Sequence, residues 1–399
     1  MGLRPRQHPL ARAALVDRLN ELLESAWNKG WLSRPPLDPE ALMAKAAAPV
    51  KAGGETGGRD AEDVADFRIR LERLTGALVS EADLNPLGQA IAHGQLVRVI
   101  RQRLRLGRWW TRYPALAATP IAPPILVVGQ MRAGTTRVHR LLAADPAHTA
   151  TRFCDSWNPV PQKRLDLRAL KCGLALLGAR RIDPWIDTIH PFGARRADEE
   201  LGWLASALDH CAYEAQWRIP GYTAFSEARD PAPIYREFAR ILATDAARHR
   251  NAGVPRVMKV PQFAEDLCSV LEQFPGARVV VARREPADIA ASAASLVANQ
   301  MTIQCDNVDL GWIEQEWRRK IALREERLEQ GLARFTGPVA RVDFAALEAD
   351  WEGEMRAVYA ALGLDLGPAA LAAMRREQRR AEQSHHTRHQ ADLRAFQSA

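Results

Sequence analysis

Between the apolar run Ile125-Leu126-Val127-Val128 and the hydroxyl pair Thr135-Thr136 lies the segment Gly129-Gln130-Met131-Arg132-Ala133-Gly134. A buried strand that passes through a tight glycine loop into a helix aims backbone N–H groups at one point. The positive end of the helix dipole points there too, and an anion such as phosphate fits. The frame is the G-x-x-x-x-G of a nucleoside-triphosphate loop, but the loop lysine is absent. Thr135 stands in its place and Arg132 lies inside the loop. Arg132, Ala133, Gly134, Thr135 and Thr136 therefore read as an anion cradle without the usual triphosphate equipment.

A second strand–turn–helix, Arg278-Val279-Val280-Val281-Ala282-Arg283-Arg284-Glu285-Pro286-Ala287-Asp288, carries a similar signal. Pro286 suits the first helical turn. Arg284 sits just past the strand tip, and Ser292 follows two turns along the helix. A guanidinium there can grip a phosphate bidentately, and the hydroxyl can add a hydrogen bond. Taken alone, Arg284 would be a strand-end arginine paired with Asp288 or Glu285. Taken with the glycine loop, the two segments predict a bipartite site for a ligand with two separated anions. A triphosphate enzyme would also place an acidic Mg²⁺ ligand at a strand end, where this chain has Arg283-Arg284.

Such a site needs a parallel sheet to hold it. Short apolar runs alternating with helical patterns predict strands at 125–129, 256–260, 278–282 and 338–342. Helices are expected at 135–144, 263–274, 286–298 and 351–362. Between them, 160–250 reads as a mostly helical insertion rich in aromatics, of the kind that shapes a substrate pocket. Residues 312–335 read as a charged surface helix with Trp312, Trp317, Ile321, Leu328 and Leu332 as its apolar stripe. Residues 1–115 read as helices, with a flexible break near 52–58. The division expected is a helical N-terminal extension over 1–119, an α/β domain over 120–372 and a basic tail over 373–399. The tail's His385, His386 and His389 read as solvated residues rather than a metal site.

The chain has 399 residues, 47% hydrophobic and 26% charged, with net charge +7 and pI about 9.4. These values fit a globular protein with a sizeable core and anionic ligands. Arg101 to Arg112 is the densest basic stretch, read as a helix end with solvated arginines and not as a nucleic-acid surface. The five scattered cysteines include no C-x-x-C pair, which argues for reduced thiols in a cytoplasm and against zinc. No signal peptide and no apolar run long enough to span a bilayer is evident.

With both motifs in view, the chain resembles the bacterial branch of the sulfotransferases that use 3′-phosphoadenosine 5′-phosphosulfate. That branch has a P-R-S-G-T-T loop and a leucine-and-histidine helix. Here these read Met131-Arg132-Ala133-Gly134-Thr135-Thr136 and Val138-His139-Arg140-Leu141-Leu142. The family's R-D-P-A-D followed by a helical serine corresponds to Arg284-Glu285-Pro286-Ala287-Asp288 and Ser292. The resemblance runs over roughly 120–365 and includes Met258-Lys259-Val260-Pro261 and Arg341-Val342-Asp343-Phe344. It implies a P-loop-like fold in which the first loop holds the 5′-phosphosulfate, while Arg284 and Ser292 hold the 3′-phosphate. It also implies that a sulfuryl group passes to a hydroxyl, less readily an amine, on a small or lipid-like acceptor.

Sulfuryl transfer resembles phosphoryl transfer in depending on positioning and charge stabilisation. The cation meeting the bridging oxygen is expected from Arg132 or Lys259, with no metal required. Relatives often carry a histidine shortly after the K-x-P, where this chain has Phe263. A hydroxyl acceptor still needs a base within reach. The candidates are Asp155, His190 and the acidic cluster Asp198-Glu199-Glu200, of which Glu199 and Glu200 would diverge by about 100° on a helix. Arg137 follows Thr136, so adenine stacking is not expected there. Two other readings compete: a nucleotide kinase or NTPase with a degenerate loop, and a non-catalytic nucleotide-binding protein that has lost its base.

Overall fold

The computed structural model describes residues 6–50, 54–162 and 165–382. The histidines at 385, 386 and 389 lie outside the described residues. Four helices come first: α1 (Ala14–Asn28), α2 (Pro39–Ala47), α3 (Ala61–Ser80) and α4 (Pro86–Arg112). Then come β1 (Ile125–Val128), α5 (Thr135–Ala144), β2 (Thr149–Ala150), α6 (Phe153–Trp157), α7 (Arg168–Ile182), α8 (Ile186–Ile189), α9 (Leu201–Ala205), α10 (Pro220–Glu227) and α11 (Ala232–His249). The chain closes through β3 (Arg256–Lys259), α12 (Leu267–Gln273), β4 (Arg278–Arg283), α13 (Pro286–Gln304), α14 (Leu310–Arg334), β5 (Val339–Asp343), α15 (Phe344–Ala349), α16 (Trp351–Ala361) and α17 (Pro368–Glu382).

The strands form one parallel five-stranded sheet in the order β2-β3-β1-β4-β5. Four of them were legible as apolar runs, and the two-residue edge strand β2 is too short to show a period. Alternate strand residues feed two cores. Leu126, Val128, Met258, Val279 and Val281 pack with α11, α12 and α14, while Ile125, Val127, Val257, Val280 and Ala282 pack with α5 and α16. Burial on both faces explains the unbroken valine runs. From β1 the chain moves to one side of the sheet, and from β4 it moves to the other. The crevice at the carboxyl ends of β1 and β4 is thus the topological switch point, where ligands of open α/β sheets bind.

Four expectations need correction. The segment Gly54–Gly58 is not a flexible break. A Cβ on Gly54 would meet the Leu104 carbonyl oxygen at 2.1 Å, and one on Gly57 the Gly107 oxygen at 2.0 Å. The glycines are there so that two backbones can touch. In the 101–112 stretch, Arg103 is not solvated: it is buried over the Phe67 ring (4.2 Å) and paired with Glu237 (3.3 Å). The expected 263–274 helix divides into a tight turn over Pro261–Ala264 and α12. Finally, α14 is no simple surface helix. Its Lys320 and Arg324 are buried, because α10, the turn before α12 and the 210–214 turn bring carboxylates to them.

The N-terminal helices share a core with residues 205–222, including Tyr213, Trp217 and Tyr222. Most aromatics of the insertion are thus core. Trp157 and Phe192 are exceptions that line a cleft. Among the described residues, no helix is long and apolar enough to cross a membrane.

Candidate active site

The loop after β1 turns where the sequence permits it. Gly129 has φ 143°, Gly134 has φ 87° and Arg132 has φ 72°. A Cβ on Gly129 would strike the Ala282 oxygen at 2.5 Å, and one on Gly134 the Phe344 ring at 2.4 Å. Only glycine lets the loop lie this close to β4 and to the residue after β5. Gly134 caps α5, whose first N–H groups face the crevice without helical acceptors.

The loop and the β4–α13 turn meet. Arg284 donates from NH1 to the Arg132 carbonyl (3.4 Å), and Arg132 Nε donates to Ser292 Oγ (2.8 Å). A second Arg132 donor reaches the Ile189 carbonyl at 2.8 Å. Arg284 also pairs with Asp288 at 3.2 Å and lies over the Phe344 ring at 4.7 Å, while its Nε is buried without a partner. The plain strand-end pairing is therefore present but satisfies only part of the guanidinium. Burial and neighbouring Arg284 pull the Arg132 guanidinium down to about 10. Burial and Arg196 do the same to Arg140, also to about 10. Desolvation is the larger cause of both shifts, and the like charge of the neighbouring guanidinium adds to it, an environment that a bound anion would relieve.

At the tip of β3, Lys259 Nζ donates to Thr136 Oγ1 (3.1 Å) and forms an ion pair with Glu199. Glu199 and Glu200 do diverge, although they precede α9 rather than lie in it. Glu199 lines the cleft, whereas Glu200 is fully buried and accepts the Lys259 backbone N–H (3.0 Å). Burial pushes the Glu200 carboxyl up to about 7. His190 also lines the cleft, with its Nε2 3.1 Å from Asp198 Oδ1. Against the cost of burial, His190, Arg140 and Lys259 hold the Asp198 carboxyl below its usual range. His190, Asp198 and Glu199 present ligand atoms within 4.8 Å of one another, the spacing of a cation site, and the Lys259 ammonium already bonds Glu199 there.

Asp155 is not brought to this group. It is buried and paired with Arg152 and Arg168 (3.1 Å). Phe263 points into the core against Phe238, ring centroids 5.7 Å apart, so a base at that position would face away from the crevice. Sequence reasoning missed His139, Arg140, Arg196 and Phe344 as site components. His139 and Arg140 lie one turn beyond Thr136 and could have been found by helical spacing. Burial and Lys259 press the His139 imidazole down to about 3, so it stays neutral beside the lysine. Arg196 gave no local signal.

Arg132, Thr136, Arg140, His190, Glu199, Lys259 and Arg284 line one cleft of about 700 Å³, which also takes in α7, α13 and α4 residues. The model of the sulfotransferase family matches residues 123–368, the span that contains both loops and all five strands. The chain belongs to the sulfotransferase family. This sulfotransferase is also similar in fold to two solved structures. Sulfotransferase STF1 of Mycobacterium tuberculosis superposes with a TM-score of 0.73 at 24% identity, over 92% of this chain and 100% of that one. Sulfotransferase STF9 of Mycobacterium avium superposes at 0.76 and 17% identity, over 86% and 88%. No curated protein sequence matches.

Proposed function

We propose that this sulfotransferase takes its sulfuryl group from 3′-phosphoadenosine 5′-phosphosulfate and passes it to a hydroxyl on a small or lipid-like acceptor, without a metal. One observation carries the reading: the two arginine loops converge in a crevice whose buried cations outnumber their carboxylate partners. The fit to a doubly anionic nucleotide rests on the orphaned Arg284 Nε and on the depressed Arg132 and Arg140. Arg284 and Ser292 would hold the 3′-phosphate, and the amides of residues 133–136 the 5′ end. The bound co-substrate supplies an activated sulfuryl group. Lys259 and Arg132 are the cations for charge developing on the bridging oxygen. Glu199, held against Lys259, is the first candidate to take the acceptor's proton. His190 is the second, because Asp198 orients its ring much as a carboxylate orients a general-base imidazole.

A kinase reading has less support. Arg283 at the tip of β4 is half-exposed and pairs with Glu325 and Glu329, so a cation stands where a triphosphate enzyme places its acidic Mg²⁺ ligand. Thermal-shift titration with adenosine 3′,5′-bisphosphate against ATP–Mg²⁺ separates the two. Saturation at 100 times the dissociation constant adds about 2.7 kcal/mol. Protection by ATP–Mg²⁺ alone would overturn the proposal. Turnover of a labelled sulfate donor over a panel of alcohols distinguishes an enzyme from a binder.

A further inference from the structure

One cation in the cleft belongs to neither the donor crevice nor any ion pair. Arg98 projects from α4 into the cleft wall, half-buried, and makes no hydrogen bond or ion pair with a described residue. Its guanidinium lies over the face of Trp157, 5.3 Å from the ring centroid. The groups that feel its charge are Tyr213 and Cys172. Burial pushes the Tyr213 phenol well above its ordinary range and raises the Cys172 thiol, so both are neutral. The cleft's Glu214 is already held by Arg324 (2.6 Å) and Lys320 (3.0 Å). Leucine or methionine would seal this wall without desolvating a charge.

What joins Arg98 to the candidate base is a wall of rings. His190 contacts Phe192 (4.5 Å), Phe192 contacts Phe153 (5.4 Å), and Phe153 contacts Trp157 (6.4 Å), on which Arg98 lies. All of these line the cleft. Further cleft lining comes from α7, through Cys172, Ala175, Leu176 and Ala179, a helical stripe without a charge. The cleft thus runs from a proton acceptor, along an apolar wall, to an unpaired cation.

We propose that the acceptor is an anionic amphiphile: a hydroxylated hydrophobic molecule whose far end carries a carboxylate or phosphate that binds Arg98. The assignment rests on the sulfotransferase reading above and names its acceptor class. Arg98 is a specificity residue that grips substrate away from the reacting atoms, so it acts on acceptor affinity more than on turnover.

The test uses the full chain, with ω-hydroxylauric acid and its methyl ester as probes. Bisphosphate binding is measured first by calorimetry. Its absence would sink the donor reading and leave the Arg98 assignment to be judged on the probes alone. Wild type is expected to bind the acid at least about tenfold more tightly than the ester, the size of one charge-assisted hydrogen bond. In Arg98→Met the preference disappears, and in Arg98→Lys it partly returns, with bisphosphate affinity and melting temperature unchanged in both. With the labelled donor, KM for the acid rises while kcat is kept. Equal binding of acid and ester by wild type, or a preference that survives Arg98→Met, overturns the proposal.

Discussion

The molecule buries arginine and lysine in two ways. On α14, Arg324 meets Glu214 at 2.6 Å and Glu265 at 3.2 Å, and Lys320 meets Glu214, Glu227 and Glu265 within 3.0 Å. Burial opposes both charges, yet the carboxylates win and both groups are held above their ordinary range. In the crevice, Arg132 is partly buried, its direct bonds go to a hydroxyl and a carbonyl, and it falls to about 10. The α14 cations have their counter-charges inside the fold. Arg132 has none among the described residues, although Lys259 and Arg284 beside it pair with Glu199 and Asp288, and its open charge suits an anionic ligand. Burial alone does not distinguish scaffold from site; the balance of charge does.

The largest effect that tests this contrast is on α14. Glu265→Gln removes the carboxylate that Lys320 and Arg324 share, leaving them Glu214 and Glu227, and should cost about 3–5 kcal/mol in denaturant unfolding. Bisphosphate affinity corrected for the folded fraction should not change. A mild loss would mean that the cluster is not what holds α14 inward.

Glu200 is the negative counterpart of Arg132: a buried carboxylate with no ion pair among the described residues. Its raised value means that the native state keeps a proton which the unfolded chain releases near the ordinary 4.5. Stability from this group is greatest at low pH and falls between about 4.5 and 7, by up to about 3 kcal/mol. Glu200→Gln should remove that slope, giving a variant whose advantage over wild type grows with pH across this window. Parallel unfolding curves for the two proteins at each pH would refute it.

The smallest energy belongs to the crevice itself. Arg284→Ala should weaken bisphosphate binding by about 1.5–3 kcal/mol, on the order of 10- to 100-fold, because bonds between ions are lost. Its melting temperature without ligand should stay level or rise, since an under-neutralised cation is gone. A drop in stability as large as that of Glu265→Gln would erase the distinction between the two regions.

Much of the site could be read locally. The glycine loop is encoded within residues 124–136, and the arginine after a strand with its proline-started helix within residues 278–288. The open question was which charges meet. Glu199 and Glu200 are chemically alike in the sequence, and only packing against β3 turns one to the cleft and the other beneath Lys259. Phe263 looked like a lost base until the turn after β3 pointed it into the core. Arg98 carries no signal of its own in the sequence, and only packing places it in the cleft wall.

Periodicity, glycine spacing and turn chemistry determined four of the parallel strands and the two loops proposed to bind anions, because those signals act between near neighbours. The strand order brought the loops together at the switch point, and long-range packing chose partners for every buried charge. Lys320 and Arg324 reach residues about 55 to 110 positions away, while Arg98 finds no hydrogen-bond or ion-pair partner among the described residues. A charge's value in a protein depends on the field around it, and that field exists only once distant segments have packed.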